Sequence, residues 1–84
     1  MESKRQKRII DKMTKDGWLC VKLIKTNLNG IPDLLCLRNN EAVFIEVKQV
    51  TGTLSEIQKY RIKQLKEHGF KVQVWTDYEL EFGK

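Results

Sequence analysis

Short apolar runs separated by polar turn residues mark the middle of the chain. Leu34–Leu37 and Ala42–Ile45 are two such runs, and their length and turn-forming borders are typical of buried strands. Asn39 and Asn40 stand between them, and asparagine tolerates the positive φ that a two-residue hairpin turn requires. The pattern therefore predicts a β-hairpin.

The turn residues predict which side chains face each other across this hairpin. If Arg38 faces Glu41, Asp33 lies directly opposite Glu46, and Lys48 projects from the same face as Glu46. Directly opposed residues have Cβ atoms about 5 Å apart, so two like charges there repel. Two carboxylates and a lysine at one strand end could form a Mg²⁺ site. The alternative is an ordinary ion pair in which Lys48 bridges two surface acids.

Two further segments have the pattern of helices. Residues 2–16 are rich in charged helix formers and stop at a glycine, and residues 55–69 open with Ser55 and Gln58 at the spacing of a capping box. One stripe of the first helix holds Glu2, Gln6, Ile9 and Met13. Its opposite face holds Lys4, Arg5, Lys7, Arg8 and Lys12. The first helix therefore has a partly buried side and a basic side.

Residues 18–25 and 70–76 predict two more strands, which gives the element order α-β-β-β-α-β. Apolar residues occupy both faces of the first strand and of the hairpin, and a sheet buried on both faces needs helices on both sides. The final strand–helix–strand unit predicts a right-handed crossover to a parallel neighbour. We expect one α/β domain over residues 1–84, with a mixed sheet flanked by helices on both faces.

Composition adds information about partners and environment. The chain has 16 Lys and Arg against 11 Asp and Glu, a net charge of +5, and this excess of positive charge favours a polyanionic partner such as nucleic acid. No long apolar run or secretory signal is present, so we expect an intracellular protein that is not in a membrane. Cys20 and Cys36 lack metal-ligand spacing and are expected to be core thiols.

Several short motifs, taken in order, resemble those of a known family. They are Gly30-Ile31-Pro32-Asp33, Glu46-Val47-Lys48, Gly52-Thr53-Leu54-Ser55 with Gln58, Leu65, and Gly69-Phe70-Lys71-Val72. This set is similar to the VRR-NUC (virus-type replication-repair nuclease) family of the PD-(D/E)xK superfamily, and compact size makes the chain look most like stand-alone phage or bacterial members. The resemblance implies a restriction-endonuclease-like fold, a cytoplasmic location in a bacterial or phage-infected cell, dependence on Mg²⁺ or Mn²⁺, and endonucleolytic cleavage of DNA.

The resemblance also implies roles for individual residues. Asp33 and Glu46 match the metal-binding positions, with the Val47 carbonyl as a third ligand. Lys48 matches a lysine that orients or activates the attacking water.

Two positions have strong structural alternatives. Glu2 matches an acid of the family's first helix that would be a further metal ligand, but an acid in a first helical turn also stabilises the helix dipole. Gln58 matches a helix glutamine near the catalytic end, but it also fits the capping box. Relatives often carry a second acid one turn beyond the first, where this chain has Gln6.

Five residues are candidates for DNA contacts. Lys4, Arg5 and Arg8 could lie along a phosphate backbone, or they could form a solvated face. Thr53 and Ser55 precede a helix N-terminus, where hydroxyl and backbone groups can bind phosphate, although both could be ordinary loop and cap residues.

The expected function is therefore metal-dependent, structure-selective cleavage of branched DNA. Stand-alone members resemble Holliday junction resolvases in acting as homodimers, so the resemblance implies a dimer and four-way junctions as substrates. One alternative is a non-catalytic module that binds branched nucleic acid. Another is a nuclease that acts on linear DNA or on RNA, which would share the same site.

Overall fold

A four-stranded mixed sheet with two helices forms the described part of the molecule. The computed structural model describes residues 4–49 and 52–76. The elements are α1 (Lys4–Lys15), β1 (Leu19–Lys22), β2 (Leu34–Arg38), β3 (Glu41–Val47), α2 (Glu56–Glu67) and β4 (Lys71–Trp75). The strands lie in the order β1-β2-β3-β4, with β3 and β4 parallel and the other neighbours antiparallel. The predicted α-β-β-β-α-β order and the parallel crossover are confirmed.

The central hairpin has the predicted turn and register. Asn39 and Asn40 have φ values of 47° and 66°, in the left-handed region that this turn requires. Arg38 pairs with Glu41. Because the register of a hairpin follows from its turn, the strand-end residues 33 and 46 are brought together as predicted.

The core lies between α1 and one face of the sheet. Its buried apolar side chains are Ile9, Met13, Leu34, Cys36, Val43, Ile45 and Trp75. Successive side chains of a strand point to opposite faces, so Glu46 projects away from Ile45 and α1. Gln58 of α2 hydrogen-bonds Glu46 on that second face, and the two helices therefore lie on opposite sides of the sheet.

The two cysteines are free thiols on neighbouring strands. Cys20 and Cys36 pair across β1 and β2, with their Sγ atoms 3.6 Å apart. Burial raises the pKa of the Cys36 thiol to about 12, which keeps it protonated at neutral pH. Both residues belong to the core or its border, as the sequence predicted.

The first strand differs from its prediction in length and burial. β1 covers residues 19–22 and not 18–25, and Leu19 and Val21 are 65% and 39% exposed. The prediction that both faces of this strand are buried is therefore wrong. β1 is an edge strand packed against α1 on one face, whereas α2 packs against β4 at the other edge of the sheet.

Within residues 4–49 and 52–76, no helix combines the length and apolar character needed to cross a membrane.

Candidate active site

The first carboxylate of the site is fixed at the junction between a loop and a strand. Asp33 directly precedes β2, and its Oδ2 accepts a hydrogen bond from the Val47 backbone N–H at 2.9 Å. Its backbone carbonyl accepts a hydrogen bond from the Leu23 N–H, also at 2.9 Å. The Asp33 carboxylate is therefore held against the end of β3, beside the backbone that links Glu46 to Lys48.

The second carboxylate is buried. Glu46 is 3% exposed and is the one buried charged side chain among the described residues. Its Oε2 accepts a hydrogen bond from Gln58 Nε2 at 3.0 Å and lies 3.9 Å from Lys48 Nζ. Burial and the negative charge of Asp33 raise the pKa of Glu46 to about 7, although Lys48 and a hydrogen bond with the Asp33 backbone oppose the shift. The protein therefore compensates the ionised Glu46 incompletely.

Gln58 belongs both to a helix cap and to this site. Its Oε1 accepts a hydrogen bond from the Ser55 N–H at 2.9 Å, and its own N–H donates to Ser55 Oγ at 3.2 Å. This is the predicted capping box, now confirmed. The Gln58 Nε2 is left to donate to Glu46. The Gln58 side chain thus connects the N-terminus of α2 with the buried carboxylate of Glu46. These contacts fix the position of Gln58, and its catalytic role stays a prediction.

An open cavity of about 480 Å³ surrounds these groups. Besides Asp33 and residues 46–48 and 58, it is lined by Arg5 and Gln6 of α1 and by Gln49 and Gly52. The sequence placed Arg5 on the basic outer face of α1, whereas the structure brings it to the cavity wall. Glu2 lies outside the described residues.

The other candidate DNA contacts lie around the cavity or further along α1. Lys4 and Arg8 are exposed on α1, and Thr53 is exposed in the segment before α2. Ser55 is the N-cap of α2, so its hydroxyl oxygen already accepts a helix hydrogen bond. Sequence reasoning missed the contributions of residues 49 and 52 to the cavity, because a position in a loop has no periodicity from which its direction can be predicted.

The oxygen donors of the cavity fit a small divalent cation. Asp33 and Glu46 supply two carboxylates, and the Val47 carbonyl is the backbone oxygen between Glu46 and Lys48. The raised pKa of Glu46 indicates that Lys48 compensates its ionised form only in part, and a bound cation would supply further positive charge. Such hard oxygen donors suit Mg²⁺ and Mn²⁺. The described residues contain no cluster of three or more His, Cys, Asp or Glu, so water and phosphate oxygens would complete the coordination.

A glycine allows the Asp33 loop to approach α2 closely. A Cβ placed on Gly30 would lie 2.6 Å from the Ile57 carbonyl oxygen, in the turn of α2 that also carries Gln58. Arg61 Nε of the same helix donates a hydrogen bond to the Asn29 carbonyl at 2.9 Å. The loop that leads to Asp33 and the helix that carries Gln58 are therefore positioned against each other.

We expect Gly30→Ala to lower both stability and any activity of the site. Gly30 has φ +80°, where a side chain costs roughly 1–2 kcal/mol, and the contact with Ile57 adds to that cost. Gly69→Ala is the matched control, because Gly69 has φ +91° and open space around its Cβ position. Urea unfolding of both variants isolates the effect of the contact. Equal losses of stability in the two variants would show that the close approach is unimportant.

Comparisons with known proteins agree with this arrangement. A family model for the VRR-NUC domain matches residues 1–76. A solved structure described as a VRR-NUC domain has a TM-score of 0.78 and 25% sequence identity, and the alignment covers 92% of this chain and 86% of that one. The curated proteins include no match. The chain therefore belongs to the VRR-NUC family, a nuclease-type family that generally uses divalent metal ions.

Proposed function

We propose that this protein is an Mg²⁺- or Mn²⁺-dependent endonuclease that hydrolyses phosphodiester bonds in branched DNA. The observation that carries the proposal is the pair of carboxylates, Asp33 and Glu46, at one strand end with Lys48 beside them. Glu46 is buried there although its charge is incompletely compensated. Burial of an incompletely compensated carboxylate costs free energy, and this cost is explained if the carboxylate binds a cation. A surface ion pair would need no burial.

The roles proposed for the site residues follow from their contacts. Asp33, Glu46 and the Val47 carbonyl would hold the ion, which when bound polarises the scissile phosphate and lowers the pKa of its water. Gln58 holds one oxygen of Glu46 in place through its amide nitrogen. Lys48 lies on the wall of the same cavity, where its ammonium group can orient the attacking water and its amine form can accept a proton.

The basic residues near the cavity would position the DNA. Arg5 lines the cavity itself and would contact the phosphate that is cut. Lys4, Arg8, Thr53 and Ser55 would contact phosphates on either side. Glu2 would add a further ligand to the metal ion.

A homodimer would place two such sites on one branched substrate. A junction is resolved by two cuts, and a symmetric pair of identical subunits supplies them. The exposed apolar side chains of Leu19 and Val21 on the edge strand support association with a second copy. Light scattering of the free protein tests this point, and a mass of one chain would contradict it.

The nuclease proposal is tested with a labelled four-way junction and its linear duplex arms. We expect the wild-type protein to cut the junction with Mg²⁺ or Mn²⁺ and not with chelator. Glu46→Gln is expected to lower the rate to below about one hundredth, because it removes the charge that binds the ion. Glu41→Gln is the matched control, since Glu41 begins the same strand and is exposed.

The possible results separate the proposed activities. Full activity of a folded Glu46→Gln variant would refute the proposed site. Equal cutting of linear duplex, or preferential cutting of RNA, would refute selectivity for branched DNA. Salt-sensitive binding without any cutting would identify a non-catalytic nucleic-acid-binding module.

A further inference from the structure

A second groove lies beside α2 and has an apolar floor with a basic rim. It has a volume of about 510 Å³. Its lining residues are Leu54, Lys59, Ile62, Lys63, Lys66 and Glu67. The three lysines are separated by four and three residues, so they lie along one side of the helix. This groove, called here the α2 groove, was not predicted from the sequence.

The charge of the α2 groove is mainly positive, and most of it has no ion-pair partner among the described residues. Lys59 Nζ lies 3.2 Å from Glu56 Oε2, but both side chains are more than half exposed and such pairs are weak. Within residues 4–49 and 52–76, Lys63 and Lys66 have no ion pair. Among the residues that the structure describes, Glu67 is the one acid that lines the groove. An anionic partner would therefore gain favourable contacts without displacing a strong internal partner.

The α2 groove adjoins the candidate active site along the chain. Lys59 of the groove directly follows Gln58, which hydrogen-bonds Glu46 in the active-site cavity. Leu54 of the groove lies two residues after Gly52, which lines the active-site cavity. Residues 52–59 thus contribute to both. This shared segment is the basis for expecting one extended ligand to contact both the active-site cavity and the α2 groove.

We propose that the α2 groove binds the sugar–phosphate backbone of the DNA strand next to the cut phosphate, with Lys63 and Lys66 contacting phosphates. Residues 59–66 span about 10 Å of helix, and one strand of a duplex carries about three phosphates over that length. The apolar floor of Leu54 and Ile62 fits the deoxyribose between phosphates, whereas a small free anion would gain nothing from it. This inference rests on the proposed nuclease function, because it takes DNA as the substrate.

The test compares Lys63→Ala/Lys66→Ala with a control, Lys15→Ala/Lys71→Ala, that removes the same charge. All four side chains are exposed, so both variants are expected to fold. Both control lysines lie near the hairpin turn, at the other end of the hairpin from Lys48. Lys71 forms an ion pair with Glu41, which directly follows the turn. Lys15 precedes Asp16, whose carbonyl accepts a hydrogen bond from Arg38, directly before the turn. Binding of a labelled junction is measured in chelator at several salt concentrations. We expect the groove variant to lower the slope of log K against log salt by about 2, and the control to leave it unchanged.

Each outcome decides the inference. Equal slopes for the wild-type protein and the groove variant would overturn it and leave the nuclease proposal intact, because the assay involves no cleavage. An equal loss in both variants would also overturn it, since the effect would then be one of net charge. Absence of salt-dependent DNA binding by the wild-type protein would overturn both the inference and the proposed DNA partner.

Discussion

Lys48→Met is expected to slow cleavage by about 10²- to 10⁴-fold while the fold survives. Methionine keeps a long unbranched side chain that can pack along the cavity wall, but it loses the ammonium group that lies 3.9 Å from Glu46. General acid–base catalysis by a positioned group contributes roughly 10²- to 10⁴-fold, so we expect a loss of that size in kcat. Single-turnover cleavage of the junction at saturating protein measures this effect without interference from product release.

Two further variants identify why Lys48→Met would lose cleavage. Lys71→Met removes an exposed lysine that pairs with Glu41 on the neighbouring strand, and it should cut like the wild-type protein. Lys48→Arg keeps the positive charge but cannot lose a proton, so recovery of cleavage would assign Lys48 to orientation and exclude it as the proton acceptor. A folded Lys48→Met variant that cuts within a few-fold of the wild-type rate would refute any catalytic role for this lysine.

Glu46→Gln is expected to stabilise the metal-free protein at alkaline pH. The pKa of Glu46 rises from its ordinary value of 4.5 to about 7 in the folded state, because burial and the charge of Asp33 disfavour the ionised form. A raised pKa means that the folded protein holds the proton more tightly than the unfolded chain. Protonated Glu46 therefore contributes its full share to the stability of the folded protein below about pH 4.5. This contribution is lost as the pH rises through about 7. The resulting difference in folding free energy between low and high pH is about 3 kcal/mol.

Urea unfolding in chelator at pH 5 and pH 8 measures this effect. Glutamine carries no charge and its side-chain oxygen can still accept the hydrogen bond from Gln58, so the variant should gain up to about 3 kcal/mol over the wild-type protein at pH 8 and little at pH 5. Glu41→Gln should show no such difference, because Glu41 is exposed. Added Mg²⁺ should stabilise the wild-type protein and reduce the gap. A Glu46→Gln variant that is less stable than wild type at pH 8 would show that the buried charge is well compensated.

The hairpin illustrates how far local pattern determines this site. Asn39 and Asn40 favour a two-residue turn, the turn determines the register, and the register brings residues 33 and 46 to the same strand end. The capping box is likewise a local feature of residues 55–58. These predictions succeeded because each depends on residues close together in the sequence.

Burial on the second face of the sheet was less predictable. An apolar run indicates that a strand can be buried, but α2 packs at the β4 edge and leaves Leu19 and Val21 of β1 exposed. Arg5 was assigned to an outer face by helical periodicity, whereas the position of α1 against the sheet brings it to the cavity wall. Both outcomes depend on where a helix docks, which the helix sequence does not specify alone.

Turn chemistry, side-chain periodicity and motif spacing act locally, so they were sufficient to predict the order of the elements, the hairpin register and the family. The tertiary structure alone decided the burial of Glu46, the second hydrogen bond of Gln58 and the basic groove along α2. These features arise from contacts between segments that are distant in the chain. They depend on how α1 and α2 pack on the sheet, and so on the shape of the whole domain.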